Sequence, residues 1–225
     1  MTTFTCEFCN KTFKRERTIA SHACEPRRRM QSKGETSVQI AFSTFGKFYR
    51  RLQGSGAKEK SFQDFIKSSY YSAFIRFGEY CVSVNCISVI GYADYVIKNE
   101  IPVDKWNTDT IYSMFMQYYI QIEPLDDALE RSVKYSMTWA TENNMDSYDF
   151  FRKASTFNII SSLQSGRVSP WVLYQSGSGM AWIQQTTLGL SPVWDMIEPD
   201  MWGKVFEKRT EDVEFARSAL ILGGW

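Results

Sequence analysis

Histidine is almost absent from this sequence, since His22 is the one histidine among its 225 residues. If that imidazole is engaged elsewhere, no serine or cysteine nucleophile has a histidine base to work with. The chain also lacks the glycine motifs of Walker-type and dinucleotide-binding loops, and it has no run of about 18 apolar residues. We therefore expect neither a nucleotide-binding enzyme of these classes nor a membrane-spanning segment.

Cysteine is present in an odd number, five, and no apolar signal-peptide core opens the chain. Both features favour reduced thiols, so we expect an intracellular protein with no membrane partner. Cys81 and Cys86 are spaced too widely for a zinc knuckle. We interpret them as buried, unreactive cysteines, with a redox pair as the alternative.

Charge is balanced overall but not along the chain. The formal net charge is +1, yet residues 1–36 carry eight basic and four acidic residues, and the rest carries a net of −3. A basic partner surface is therefore expected near the N-terminus. The sixteen Phe, twelve Tyr and seven Trp supply ample apolar bulk for a folded core.

A metal-ligand pattern occupies residues 4–24. Cys6 and Cys9 are separated by two residues, as in a tight hairpin that presents two thiolates to one ion. Phe13 and Ile19 follow at the spacing of a minimal apolar core, and His22 comes three residues after Ile19. A domain this small depends on a metal for most of its folding free energy, so the pattern predicts a zinc site.

The fourth ligand departs from the common pattern, because Cys24 follows His22 where a second histidine is usual. On a continuous helix these two side chains would point about 200° apart. We therefore predict that the helix breaks just after His22, helped by Pro26, and that Cys24 folds back as the last ligand.

Residues 4–24 resemble a DNA-binding zinc finger of the two-Cys two-His type with cysteine as its last ligand. The resemblance implies a ββα-like fold, base-reading positions at Arg15, Thr18 and Ser21, and a nucleic-acid partner. Further basic residues are expected near phosphates: Lys14, Arg17, Arg27, Arg28 and Arg29. Protein contact or a purely structural role is the alternative for a single finger.

The rest of the chain shows helical periodicity. We predict a mainly α fold, with a zinc finger at 1–26, a basic linker at 27–36 and an all-α helical domain at 37–225. The first two helices are expected from about 37 to 52 and from a capping box at Ser61. Further helices are expected across the region of Cys81, at 109–121, at 125–142 and after a cap at Ser147. The tail is expected to form short helices.

Few residues in the helical region are candidates for chemistry. Asp195, Glu198 and Asp200 lie close together between two tryptophans, where a raised pKa is possible, but helix capping is the simpler interpretation. Arg167 and Trp171 are candidates for gripping an anion and stacking a base.

The whole chain is also similar to DNA-metabolism proteins of tailed bacteriophages, through "PRRR" after the finger and "SPWVLYQSGSG" with "EPDMW" in the tail. The amino acid:DNA transferases of phage thymine hypermodification are one such family, and the location would then be the host cytoplasm. The leading hypothesis is a nucleic-acid-binding protein whose helical domain docks a partner or substrate. A DNA-base-modifying transferase and a structural phage protein are the alternatives.

Overall fold

The computed structural model describes residues 3–54, 56, 58–186 and 191–225, with the side chain of Ser191 left aside. It confirms the mainly α fold: a two-stranded sheet near the N-terminus precedes a series of helices. The chain divides into two compact units, Met1–Tyr112 and Ser113–Trp225. None of the helices in the described part of the chain combines the length and the hydropathy needed to cross a bilayer.

The first unit begins with a short antiparallel hairpin. Its strands are β1 (Phe4–Thr5) and β2 (Thr12–Phe13), paired with Phe4 opposite Phe13. The helices that follow are α1 (Glu16–Ala20), α2 (Glu25–Gln31), α3 (Thr36–Gln53), α4 (Phe62–Lys67), α5 (Tyr71–Ser83) and α6 (Val89–Lys98). Helix α7 (Asp109–Ile122) contains the boundary between the two units.

Helices α3 and α5 form the centre of this unit because they approach each other closely. At Gly78 an added Cβ would lie 2.1 Å from the backbone oxygen of Ser37, so only glycine permits the contact. Phe45 of α3 packs edge-on against Phe74 of α5, and Trp106 packs against the same ring. All three side chains are buried, which accounts for part of the aromatic content as core packing.

The second unit continues the helical series. Its helices are α8 (Leu125–Asn143), α9 (Phe150–Lys153), α10 (Thr156–Gln164), α11 (Pro170–Gln175), α12 (Gly177–Gln185), α13 (Trp194–Ile197), α14 (Pro199–Lys208) and α15 (Thr210–Leu222).

A buried carboxylate organises the start of this second unit. Glu123 is fully buried, accepts hydrogen bonds from Ser169 and Arg131 at 2.7 Å each, and its backbone oxygen accepts one from Arg209 at 3.0 Å. Arg131 also donates to the backbone oxygen of Gly166 at 2.6 Å. Because Glu123 has hydrogen-bond partners on each of them, it connects α8, α11 and the start of α15.

Several helix predictions agree closely with the structure. Helices α7 and α8 match the ranges expected from periodicity, and the capping box at Ser61 and Asp64 has both of its reciprocal bonds. Helix α3 begins at Thr36 and ends before Gly54, in the expected glycine-rich break, of which residues 55 and 57 lie outside the described residues. The tail consists of short helices, although residues 187–190 also fall outside the described part.

Three helical segments are more interrupted than predicted. The helix expected to run on from Ser61 ends at Lys67, and α5 starts again at Tyr71. The apolar stretch around Cys81 is two helices separated by a turn. The helix expected from Ser147 is also broken: Ser155 accepts a hydrogen bond from the Asn158 backbone N–H and so begins a new helix, α10. Serine caps and residues in the left-handed conformation interrupt these helices, although the apolar periodicity continues across the interruptions.

Residues 27–36, expected to be a linker, are largely helical. Most of the basic run lies within α2, and a 3₁₀ turn at Ser32–Gly34 leads directly into α3. Pro26 lies in the first turn of α2, where a backbone N–H would have no partner within the helix, so proline loses no hydrogen bond there. The residue that was expected to end one helix therefore lies at the start of the next. The proposed division into finger, linker and helical domain stays a prediction.

Candidate metal centre

The hairpin turn places the first two cysteines on one side of the chain. The Cys6 backbone N–H donates to the oxygen of Lys11, and the Asn10 N–H donates to the oxygen of Cys6, both at 2.9 Å. Asn10 adopts a left-handed conformation with φ of 58°, which asparagine tolerates better than most residues. The turn therefore closes tightly and presents the side chains of Cys6 and Cys9 together.

The other two ligands come from the segment between α1 and α2. Helix α1 ends at Ala20, two residues before His22, so the helix breaks earlier than predicted. Ser21 is the C-cap residue, and after it the His22 backbone N–H turns back to the oxygen of Ile19 at 3.1 Å, a tighter bond than that of an α-helix. Cys24 is extended, with φ of −95° and ψ of 159°, and is the N-cap residue of α2.

Together the four side chains form a compact ligand set. The ligand atoms of Cys6, Cys9, His22 and Cys24 all lie within 4.8 Å of one another. The Sγ atoms of Cys6 and Cys24 are 3.9 Å apart, and Cys9 Sγ lies 3.2 Å from His22 Nε2. In a tetrahedral zinc site the sulfur–sulfur edge is about 3.8 Å and the sulfur–nitrogen edge about 3.5 Å. The cluster therefore has the size that a tetrahedral metal ion requires.

The electrostatics of the thiols also suit a cation. Burial raises the pKa of Cys6, but the backbone N–H groups of Cys9 and Phe8 and the neighbouring thiols outweigh burial and lower it. At Cys9 the Lys11 N–H lowers the pKa, yet burial and the thiols of Cys6 and Cys24 raise it overall. The neighbouring thiols thus oppose ionisation of Cys9, and a bound cation would remove that opposition.

The arginine-rich helix supports the ligand loop from outside. Arg27 Nη1 donates to the backbone oxygen of His22 at 2.8 Å, and the ring of Phe13 packs against the imidazole with centroids 4.7 Å apart. Arg29 donates to the backbone oxygen of Ile66 at 2.7 Å and stacks on the ring of Tyr71. The sequence predicted phosphate contacts for these arginines and not the internal bonds. No local pattern reveals a partner 37 residues away, as Ile66 is from Arg29, and the bond from Arg27 to His22 depends on how the chain turns between α1 and α2.

The residues predicted to contact nucleic acid fall into two groups. One group lies on and around α1 with exposed side chains: Lys14, Arg15, Arg17, Thr18 and Ser21. The other group is on α2, where Arg28 is exposed and pairs with Glu25 at 3.2 Å, while Arg27 and Arg29 are half-buried. The first group lies beside the metal ligands and is available to a partner. Contact with nucleic acid stays a prediction for both groups.

The structure does not gather the candidate catalytic residues into one site. The side chain of Trp171 is fully buried against Trp202 and Phe206, with the guanidinium of Arg209 over its ring, so it has no open face for a base. Within the described residues, the acidic side chains at 195, 198 and 200 form no cluster of metal-binding size. All three are exposed.

Two of these acids lie at the start of α14, although the Glu198 side chain makes no capping hydrogen bond. Glu198 is the N-cap residue of α14, Pro199 follows it, and Asp200 is in the first turn, where a negative charge complements the helix dipole. Arg167 is exposed near the ring of Tyr135. Nothing in this geometry assigns a reaction to these side chains.

A basic cleft between α3 and α6 escaped the sequence analysis. It encloses about 670 Å³ and is lined by Lys47, Arg50, Arg51, Gly54, Asp94, Ile97 and Lys98. Lys47 is paired with Asp94 at 2.7 Å. The residues come from two segments that are 40 positions apart at their nearest, Gly54 and Asp94, so no local motif marks the cleft.

Comparison with known proteins found no match to this chain among protein-family models, curated proteins or solved structures.

Proposed function

We propose that the N-terminal segment is a structural zinc finger that contacts nucleic acid through α1, and that the helical region docks a partner or substrate. The observation that carries the proposal is the position of Lys14, Arg15 and Arg17. Their side chains are exposed beside the metal ligands and make no hydrogen bond or ion pair within the described part of the chain. Exposed cations without a partner in the described protein are available for phosphate and base-edge contacts.

The choice of zinc rests on the ligand chemistry. Three thiolates and one imidazole at tetrahedral spacing are typical of zinc, and four protein ligands leave no open position for a substrate. A closed site of this kind stabilises the fold and does not take part in chemistry. A role in phage DNA metabolism is a further part of the proposal, and it rests only on the sequence segments that prompted that expectation, since the comparisons found no match.

Binding to duplex DNA across a salt series tests the nucleic-acid contact. We expect weak binding that falls steeply with salt, because one finger covers about 3 base pairs and relies on phosphate contacts. Arg15→Ala should cost about 1–3 kcal/mol if Arg15 reads a base, whereas Lys14→Ala should lower the salt slope by about 1. Fluorescence anisotropy with a labelled duplex measures both quantities.

Arg76→Ala is the matched control, because Arg76 is an exposed arginine on α5, away from the metal ligands, and its loss changes the net charge equally. This variant should bind DNA like the unmodified protein. Binding that is indifferent to salt and to Arg15→Ala would overturn the nucleic-acid contact. A metal-loaded finger that binds no DNA would favour the structural alternative.

A further inference from the structure

The end of α5 brings two cysteines side by side. Val84 caps the helix, and Asn85 follows in a left-handed conformation with φ of 50°. The Cys86 N–H then donates to the oxygen of Cys81 at 2.9 Å, while the Asn85 N–H donates to the oxygen of Val82 at 3.1 Å. These two bonds define a Schellman motif, in which the residues in the positions of Cys81 and Cys86 are close neighbours.

The two thiols differ in their access to solvent. Cys81 is 1% exposed, whereas Cys86 is half-buried. Neither is in a disulfide. The Schellman motif places their side chains next to each other, which is the arrangement that a disulfide between them needs. The pair therefore has one partly exposed cysteine to meet a reagent and one sheltered cysteine to complete the reaction.

The surroundings favour ionisation of the half-buried member, Cys86, over that of Cys81. The hydrogen bond from Cys81 lowers the pKa of Cys86, and the Ser88 backbone N–H and the Tyr112 side chain add to this effect. The same hydrogen bond, together with burial, raises the pKa of Cys81 well above its ordinary value. A thiolate is the nucleophile in thiol oxidation, so Cys86 is the member expected to react first.

We propose that Cys86 and Cys81 are a redox-active dithiol, with Cys86 as the attacking thiol, Cys81 as the resolving thiol and a peroxide as the oxidant. The Cys86 thiolate attacks one peroxide oxygen, the O–O bond breaks, and the leaving hydroxide takes a proton to become water. Cys81 then attacks the resulting sulfenic acid, its S–H proton leaves with the hydroxyl group as a second water, and the S–S bond forms. The inference is independent of the proposed nucleic-acid contact.

Peptide mapping of the metal-loaded, full-length protein tests the proposal. Both cysteines fall in one tryptic peptide, residues 77–98, while the finger cysteines fall in others. After hydrogen peroxide, alkylation under denaturing conditions and digestion, we expect this peptide to lose both alkylatable thiols and become lighter by two hydrogens. A reductant should restore both thiols.

Two single variants separate the roles. In Cys81→Ser, Cys86 should form a sulfenic acid that dimedone traps, with no internal disulfide. In Cys86→Ser, Cys81 should stay a thiol at the same peroxide dose. Circular dichroism checks that both variants fold. A wild-type peptide that keeps both thiols at a dose that oxidises free cysteine would overturn the proposal, as would a disulfide joining Cys86 to a finger cysteine.

Discussion

Arg27 donates a hydrogen bond from Nη1 to the main-chain oxygen of His22, 2.8 Å away. The bond ties helix α2 to the loop that carries two of the four metal ligands. On the same helix, Arg29 ties α2 to the oxygen of Ile66 and the ring of Tyr71. Helix α2 therefore joins the metal centre to the helices of the first unit, and it does so with the basic residues that sequence reasoning assigned to phosphates.

Substitution Arg27→Ala should weaken metal binding without removing a ligand. The His22 carbonyl loses its charged donor, so the loop that orients the imidazole becomes less ordered. Residues that support ligands in this way typically change metal affinity 10–100-fold, and we expect about the lower figure because the bond reaches the backbone and not the ring. Competition with a chromophoric zinc chelator measures the affinity.

Arg28→Ala is the control, since Arg28 is the adjacent arginine and its exposed ion pair with Glu25 contributes little. Its metal affinity should equal that of the unmodified protein. Equal losses in the two variants would show that charge alone, and not the bond to His22, supports the site.

Loss of the last ligand should have a larger effect. Cys24→Ala removes one thiolate, and we expect the metal affinity to fall by more than about 100-fold, beyond the effect of a residue that only supports a ligand. Cobalt titration should give a tetrahedral spectrum with strong thiolate bands in the unmodified protein. Cys24→His should keep tetrahedral binding with weaker thiolate bands, because a ligand is exchanged and not lost. Unchanged spectra in both variants would exclude Cys24 as a ligand.

The sequence predicts the ligand cluster well because metal chelation is a local problem. The spacing of Cys6, Cys9 and His22 places the ligands at one point almost regardless of how the rest of the chain folds. The end of the helix was placed two residues too late, since Ser21 is its C-cap and the His22 N–H already bonds to the oxygen of Ile19. Periodicity alone does not reveal such a cap.

The sequence predicts that these segments are helical, but it does not predict where the helices are interrupted or which distant residues they contact. Apolar spacing identified α7 and α8 because each is long and uninterrupted. It joined segments that Ser155 and Asn85 separate, since one capping residue breaks a helix without changing the apolar pattern. Contacts such as Arg29 with Ile66, and Ser169 with Glu123, link distant positions and depend on the whole fold.

The contact between α3 and α5 predicts opposite effects for two glycine substitutions. Gly78→Ala should destabilise the protein by about 1–3 kcal/mol or more, because the new methyl group would lie 2.1 Å from the Ser37 backbone oxygen and the helices would have to separate. Gly46→Ala, within α3, meets no atom within 4 Å and should stabilise by roughly 0.5–1 kcal/mol through helix propensity. Urea denaturation of both variants measures the difference, and equal signs would contradict the close approach.

The buried pair of Arg131 and Glu123 predicts a strong effect of a single substitution. Arg131→Met leaves the fully buried carboxylate without its counter-ion, which typically costs about 3–5 kcal/mol. The double variant Glu123→Gln with Arg131→Met should be much less destabilised, because no buried charge remains and the amide can still bond to Ser169. Urea denaturation at neutral pH compares the two.

The pH dependence of the single variant provides a second test. Burial raises the pKa of Glu123 above its unfolded value, while Arg131 lowers it, so Arg131→Met should raise the pKa further. A carboxyl whose pKa is higher in the folded state binds more protons there. Its favourable contribution is therefore complete below the unfolded pKa and is lost as pH rises through the folded pKa. The free energy of unfolding of the Arg131→Met variant should therefore decrease between mildly acidic and neutral pH, relative to that of the double variant. Parallel pH profiles for the two variants would show that Glu123 is not the group whose ionisation costs stability.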